Sequence, residues 1–340
     1  MNRSLPLLCG ALALTLMSAC GSGSGTTSTD AFSTNGHARS RSSFEDDLKA
    51  YSDNVDFATA IATQITVQGT SEGSLNAEFV RQTIGFEIDY ELIHEELAAQ
   101  KVAISPSAAT EGARIAAERF GGDAVWAKFP KNFRDRQTLA WSEVIQLRLH
   151  YAGVTSLDDA ALQAAFAADS TPYSRRCLSH ILVATLDEAT QIEGQLKTGE
   201  DFATIAKAKS IDTGSGANGG ELRNQADGTC QTKDEIDSSY IGEFAAAADA
   251  ATVGVPTDPV QSQYGFHIIL VTKVEDVLFN DAKAAVKNTL LSKGNDKFTA
   301  WQKDALAKAQ ITVDPRYGEW DAKTSSVVAT TTGTADIPVK

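Results

Sequence analysis

The spacing of apolar residues changes character along this chain, and that change limits the fold more than any single residue does. Across residues 44–169 apolar side chains recur every third or fourth position, the period of a helix with one buried face. From Ser174 they alternate instead, the period of a strand, in runs rich in branched residues. With 340 residues, 42% of them hydrophobic, there is room for two compact domains. The change of period places their boundary near residue 170.

In the helical stretch, Val80, Ile84, Ile88 and Leu92 stand four apart, and Ile93 and Leu97 continue the stripe. Ser105 and Pro106 make an N-cap and first-turn pair, and Gly121-Gly122 closes the alanine-rich run 108–120, bracketing a second helix. Trp141, Val144, Ile145, Leu147 and Leu149 mark a third. Ser156, with Asp159 three residues on, opens a fourth at Leu157 that runs through Phe166. These stripes read as helix-bundle core. His94 and His150 lie on helices without a carboxylate or cysteine at a telling spacing, so they read as structural or solvent-facing.

The second texture begins with a strand over 177–183, followed by helices over 187–197 and 202–209 and a turn-rich loop over 210–222. A short helix over 243–250 leads to a central strand over 265–271. This order predicts a small α+β domain with a mostly antiparallel sheet.

The N-terminus reads as a targeting segment. Arg3 precedes an apolar run over 5–17 that is too short to span a bilayer, and small residues lead to Cys20, so 1–19 is expected to be a signal peptide. It resembles the bacterial lipoprotein signal, which implies a diacylglyceryl group on Cys20 and an exported, membrane-anchored protein of the cell envelope. An ordinary cleaved signal with an incidental cysteine is the alternative. Residues 20–43, rich in Gly, Ser and Thr, are expected to form a flexible tether spanning roughly 25 Å. The formal charge of −14 argues against nucleic acid as a partner. Beyond the two N-terminal cysteines only Cys177 and Cys230 remain; in an oxidising setting they make a disulfide, or else two free thiols. No Cys/His spacing suggests a metal site.

Five ordered blocks carry a family resemblance. They are Ser179-His180-Ile181-Leu182-Val183, the run 199–206, Ser210-Ile211-Asp212 with Gly219-Gly220-Glu221-Leu222, Gly242-Glu243-Phe244, and Pro259-Val260 with Tyr264-Gly265-Phe266-His267-Ile268-Ile269. Residues 174–276 resemble a parvulin-type peptidyl-prolyl isomerase domain. The helical part 44–169 and the segment 277–322, a helix over 281–309 followed by a strand, resemble exported parvulin-bearing chaperones of the SurA and PrsA kind. That resemblance implies an α+β protein in which N- and C-terminal segments form one helical chaperone domain and the parvulin domain, an antiparallel sheet surrounded by helices, is inserted between them. Residues 323–340, rich in Thr, Ser and Ala, are expected to be a disordered tail.

Rotation about an X-Pro bond faces a barrier of roughly 20 kcal/mol, yet the isomers differ by about 0.5–1 kcal/mol. Such a reaction needs no covalent step and no cofactor. It needs an apolar slot for the ring and surroundings that favour the twisted amide. The resemblance implies that His180, Asp212 and His267 form the floor, the imidazoles locking each other's tautomer while the carboxylate orients them. It implies further that Leu222, Phe244 and one of Tyr240 or Ile241 line a solvent-open prolyl slot. The expected partners are unfolded or proline-containing exported polypeptides. The chain departs from the family after Leu222, where a polar excursion over 223–239 is longer by several residues and lacks the usual Met. A catalytically weak or inactive holdase is therefore the alternative reading.

Overall fold

In a computed structural model the described residues are 29–223, 228, 230–331 and 336–339. The signal segment 1–19 and Cys20 lie outside them. The chain opens with strands β1 (Asp30–Thr34) and β2 (His37–Ser40), helices α1 (Arg41–Asp53) and α2 (Val55–Ala60), and strand β3 (Ser74–Asn76). Helices α3 (Ala77–Gln100), α4 (Pro106–Arg119), α5 (Asp123–Trp126), α6 (Lys131–Ala152) and α7 (Asp159–Ala168) follow. A second unit runs through β4 (Arg175–Val183), α8 (Leu186–Lys197), α9 (Phe202–Lys209), α10 (Thr213–Gly216), β5 (Cys230–Thr232), α11 (Lys233–Ser239), α12 (Gly242–Ala250), β6 (Val260–Ser262) and β7 (Gly265–Glu275). The chain ends with α13 (Phe279–Lys293), α14 (Asn295–Lys308), β8 (Ile311–Val313), β9 (Glu319–Asp321), β10 (Ser326–Val328) and β11 (Asp336–Pro338).

The first and last segments build one body. Strand β8 pairs antiparallel with β1, Phe32 facing Val313, so the two ends of the chain share a sheet of order β2-β1-β8. On α3 the expected stripe is inside: Val80, Ile84 and Ile88 are completely buried. It packs into an aromatic cluster in which Tyr51 meets Phe79, Phe120 and Phe133. Among the described residues no helix is long and apolar enough to cross a membrane.

Several expectations are corrected here. The tether does not extend to residue 43, because β1 and β2 occupy much of it and Ala31 is completely buried. The hydroxyl-rich composition conceals a strand whose partner, β8, lies at the far end of the chain. The tail is not disordered through 323–340: β10 pairs with β9 and β11 with β3, which buries Val327 and Ile337. The single late helix is two, broken at Gly294, where a Cβ would stand 2.2 Å from the Arg148 carbonyl oxygen of α6. The α7 cap is Asp158 rather than Ser156, whose hydroxyl donates to the Asp158 carboxylate. His94 does have a carboxylate partner, Glu143 of α6, at 2.7 Å.

The inserted unit is an antiparallel sheet of order β5-β4-β7-β6. Alternation sends Ile181, Val183 and Ile268 to the face covered by α8 and α9. Leu178, Ile269 and Val271 point to the other face, under α11 and α12. The stretch 223–239 is more than a polar excursion, for it holds β5 and α11. Cys177 and Cys230 stand directly opposite in the β4–β5 pair and are joined by a disulfide.

Candidate functional site

Register places the site. His180 lies opposite Ile269 and Leu182 lies opposite His267, so the two imidazoles are diagonal neighbours on the α12 face of the sheet. Their Nδ1 atoms are 3.2 Å apart. Only one proton fits at that contact, so each ring restricts the other's tautomer.

A loop closes the floor. Gly220 crosses β4 with φ +86°, accepting from the His180 N–H at 2.8 Å; a Cβ there would lie 2.4 Å from the His180 carbonyl oxygen. The crossing follows from Asp212, which caps the α10 turn through the N–H groups of Gly214 and Ser215. Its other oxygen, Oδ2, lies 2.8 Å from His180 Nε2 and accepts from the Ser215 hydroxyl at 2.6 Å. A carboxylate only accepts, so His180 Nε2 carries hydrogen toward it. At the far end His267 Nε2 meets the Ser262 hydroxyl at 2.8 Å. The result is one continuous hydrogen-bonded line: Asp212, His180, His267, Ser262.

Charge follows from these surroundings. Burial pushes the Asp212 carboxyl up, but hydrogen bonds from Ser215 and His180, the pull of the His180 ring and the Gly214 N–H outweigh it and hold the group at about 2. His267 is held at about 4, first by burial and then by the adjacent His180, against the opposite pull of Asp212.

Above this line stand the apolar residues. Phe244 of α12 meets both imidazoles edge to face, at centroid distances of 5.7 Å and 5.4 Å. Tyr240 stacks on Phe244 at 4.8 Å, while Leu222 and Ile241 are half-buried beside them. The structure thus gathers all seven expected residues. It corrects one expectation: Phe244 is 2% exposed and does not line a solvent-open slot, because Tyr240 covers it. Ser215, Ser262 and Gln231 belong to the same cluster and escape a reading of sequence alone. Ser215 carried a signal, standing three residues after a capping Asp; Ser262 carried none. Among the described residues two sets of metal-ligand types converge elsewhere: Cys177 and Cys230 with Glu275, where the disulfide occupies the sulfurs, and His37 with Glu91 and Glu95 at the surface.

Residues 180–273 match the family described as Rotamase, PPIC-type PPIASE domain. The chain carries a parvulin-type domain. Foldase protein PrsA of Clostridium kluyveri is 36% identical over 137 residues, covering 37% of this chain and 37% of that protein. The PrsA foldase of Geobacillus sp. strain WCH70 is 41% identical over 110 residues, 32% of this chain and 36% of its own length. The match thus spans little more than a third of these curated relatives. A crystal structure of the peptidylprolyl isomerase PrsA from Bacillus cereus is 21% identical, with a TM-score of 0.41 over 79% of this chain and 88% of that one.

Proposed function

We propose that the chain is a peptidyl-prolyl cis-trans isomerase and folding chaperone for exported polypeptides, held at a membrane by a lipid on Cys20. The observation that carries the catalytic part is the line Asp212–His180–His267–Ser262 lying directly beneath the ring of Phe244. A twisting X-Pro amide loses resonance, its nitrogen becomes pyramidal and its carbonyl less polarised. A dry floor with fixed imidazole tautomers and apolar walls favours that state over the planar one, and each 1.4 kcal/mol of preference gives about a tenfold gain in rate. Asp212 orients His180, His180 orients His267, and the pyrrolidine ring packs against Tyr240, which lies on Phe244, with Leu222 and Ile241 beside it. No bond to the protein forms.

A protease-coupled assay on a proline-containing tetrapeptide tests this with the full chain. Turnover should be measurable and should fall at least tenfold in Asp212→Ala. Undiminished turnover in that variant would remove the floor from the mechanism.

The covering of Phe244 by Tyr240 favours a second reading, a holdase whose parvulin-type domain binds but does not turn over. Suppression of aggregation without isomerisation is its signature.

A further inference from the structure

The edge of β4 carries an irregularity that the isomerase reading does not use. Ser179 faces Glu221, whereas Cys177 faces Cys230: two residues along β4 correspond to nine along its neighbour. The neighbouring segment meets β4 at Leu222, whose N–H donates to the Leu178 carbonyl, and again at Cys230, where the disulfide fixes the pairing. The next residue, Gln231, lies opposite Arg176 and is 0% exposed. Its Nε2 donates to the Tyr240 hydroxyl at 2.9 Å, while its Oε1 has no hydrogen-bond partner among the described residues. A buried amide with an unmet oxygen is a poor choice for stability, since an apolar side chain of that volume would avoid the desolvation cost. What this amide does secure is the phenol of Tyr240, whose ring lies on Phe244.

We infer that Gln231 is a positioning residue for the prolyl slot: anchored by the Cys177–Cys230 crosslink, it fixes the Tyr240 ring and so sets the shape of the wall that the proline meets. This rests on the isomerase reading for its substrate, and it adds a residue and a crosslink that act on binding through Tyr240. Gln231 touches neither imidazole ring in any hydrogen bond, so its effect belongs in substrate affinity rather than in the twisting step.

The experiment uses the full chain with a prolyl tetrapeptide for turnover, and the same peptide for binding by calorimetry. Gln231→Leu and Tyr240→Phe each remove the shared hydrogen bond and should each raise KM about fivefold, the value of one neutral hydrogen bond, with kcat within twofold. Because both delete one interaction, the double variant should be no worse than either single one. Replacing both cysteines by serine should raise KM in the parent and add nothing in the Gln231→Leu background. An unchanged KM in the single variants, or effects that multiply in the double variant, overturns the inference while leaving the isomerase reading intact. A parent that binds the peptide without turnover, with weaker binding in the variants, overturns the isomerase reading and keeps this one. A parent that neither binds nor turns over overturns both.

Discussion

Lowering the pH from 7 to 5 should weaken the parvulin-type domain by about 2 kcal/mol through one ring, His267. The folded chain holds this imidazole at about 4, against 6.5 for a free one. Between those values the unfolded chain binds a proton that the folded chain excludes. The ring's contribution is therefore complete above pH 6.5 and is lost as the pH falls toward 4; the whole difference amounts to about 3 kcal/mol. Tryptophan fluorescence cannot read this, since Trp126, Trp141, Trp301 and Trp320 all lie in the other body. Amide hydrogen exchange of β4 and β7 reads it directly. The comparison is with His267→Gln, because carboxyls that burial raises elsewhere, such as Glu87 and Glu143, titrate alike in both chains and cancel. The parent should lose about 2 kcal/mol more than the variant between pH 7 and 5. Equal losses would refute the claim that the fold keeps this ring neutral.

Phe244→Ala should destabilise the domain by about 3–5 kcal/mol as well as abolish turnover, because the ring is buried rather than lining an open slot; hydrogen exchange and the tetrapeptide assay check the two effects. Replacing Cys177 and Cys230 by serine should cost about 4 kcal/mol on a chain-entropy argument for a separation of 53 residues, read as a shift in the urea midpoint of domain unfolding. Cys20→Ser should move the protein from the membrane pellet to the soluble fraction after export, and an unchanged distribution would remove the lipid anchor.

Elements whose own residues carry the signal are legible in the sequence. The stripe of Val80, Ile84 and Ile88 and the branched runs of β4 and β7 announce a helix and two strands, since burial of those side chains is what holds them in place. Elements that exist only through a distant partner are not legible. Strand β1 is five residues without clean alternation in a hydroxyl-rich stretch until β2 and the distant β8 pair with it. Strand β11 is the same case with β3. The site falls between these limits. His180 and His267 are visible as residue types in strands, but their meeting depends on His180 facing Ile269 rather than a neighbour one step away, and periodicity is blind to register. The burial of Phe244 is hidden for a similar reason. It depends on where Tyr240 settles, which follows from α11 and β5 in a stretch with a polar surface reading.

On the proposed isomerase reading, that stretch also changes what kind of wall the proline meets. A methionine, usual at this place in the family that the domain resembles, is unbranched and polarisable and adapts to what it touches. Tyr240 has fewer rotatable bonds, is stacked on Phe244, and is held at its hydroxyl by a wholly buried amide next to a crosslink. Rigid walls lower the ordering cost of binding for the ligand they fit and raise it for the others. On the proposed isomerase reading, the excursion over 223–239 exchanges breadth for selectivity. A series of tetrapeptides differing only in the residue before proline should spread over a wider range of kcat/KM in the parent than in Tyr240→Met. An equal spread in both chains would mean that Tyr240 fills space and selects nothing.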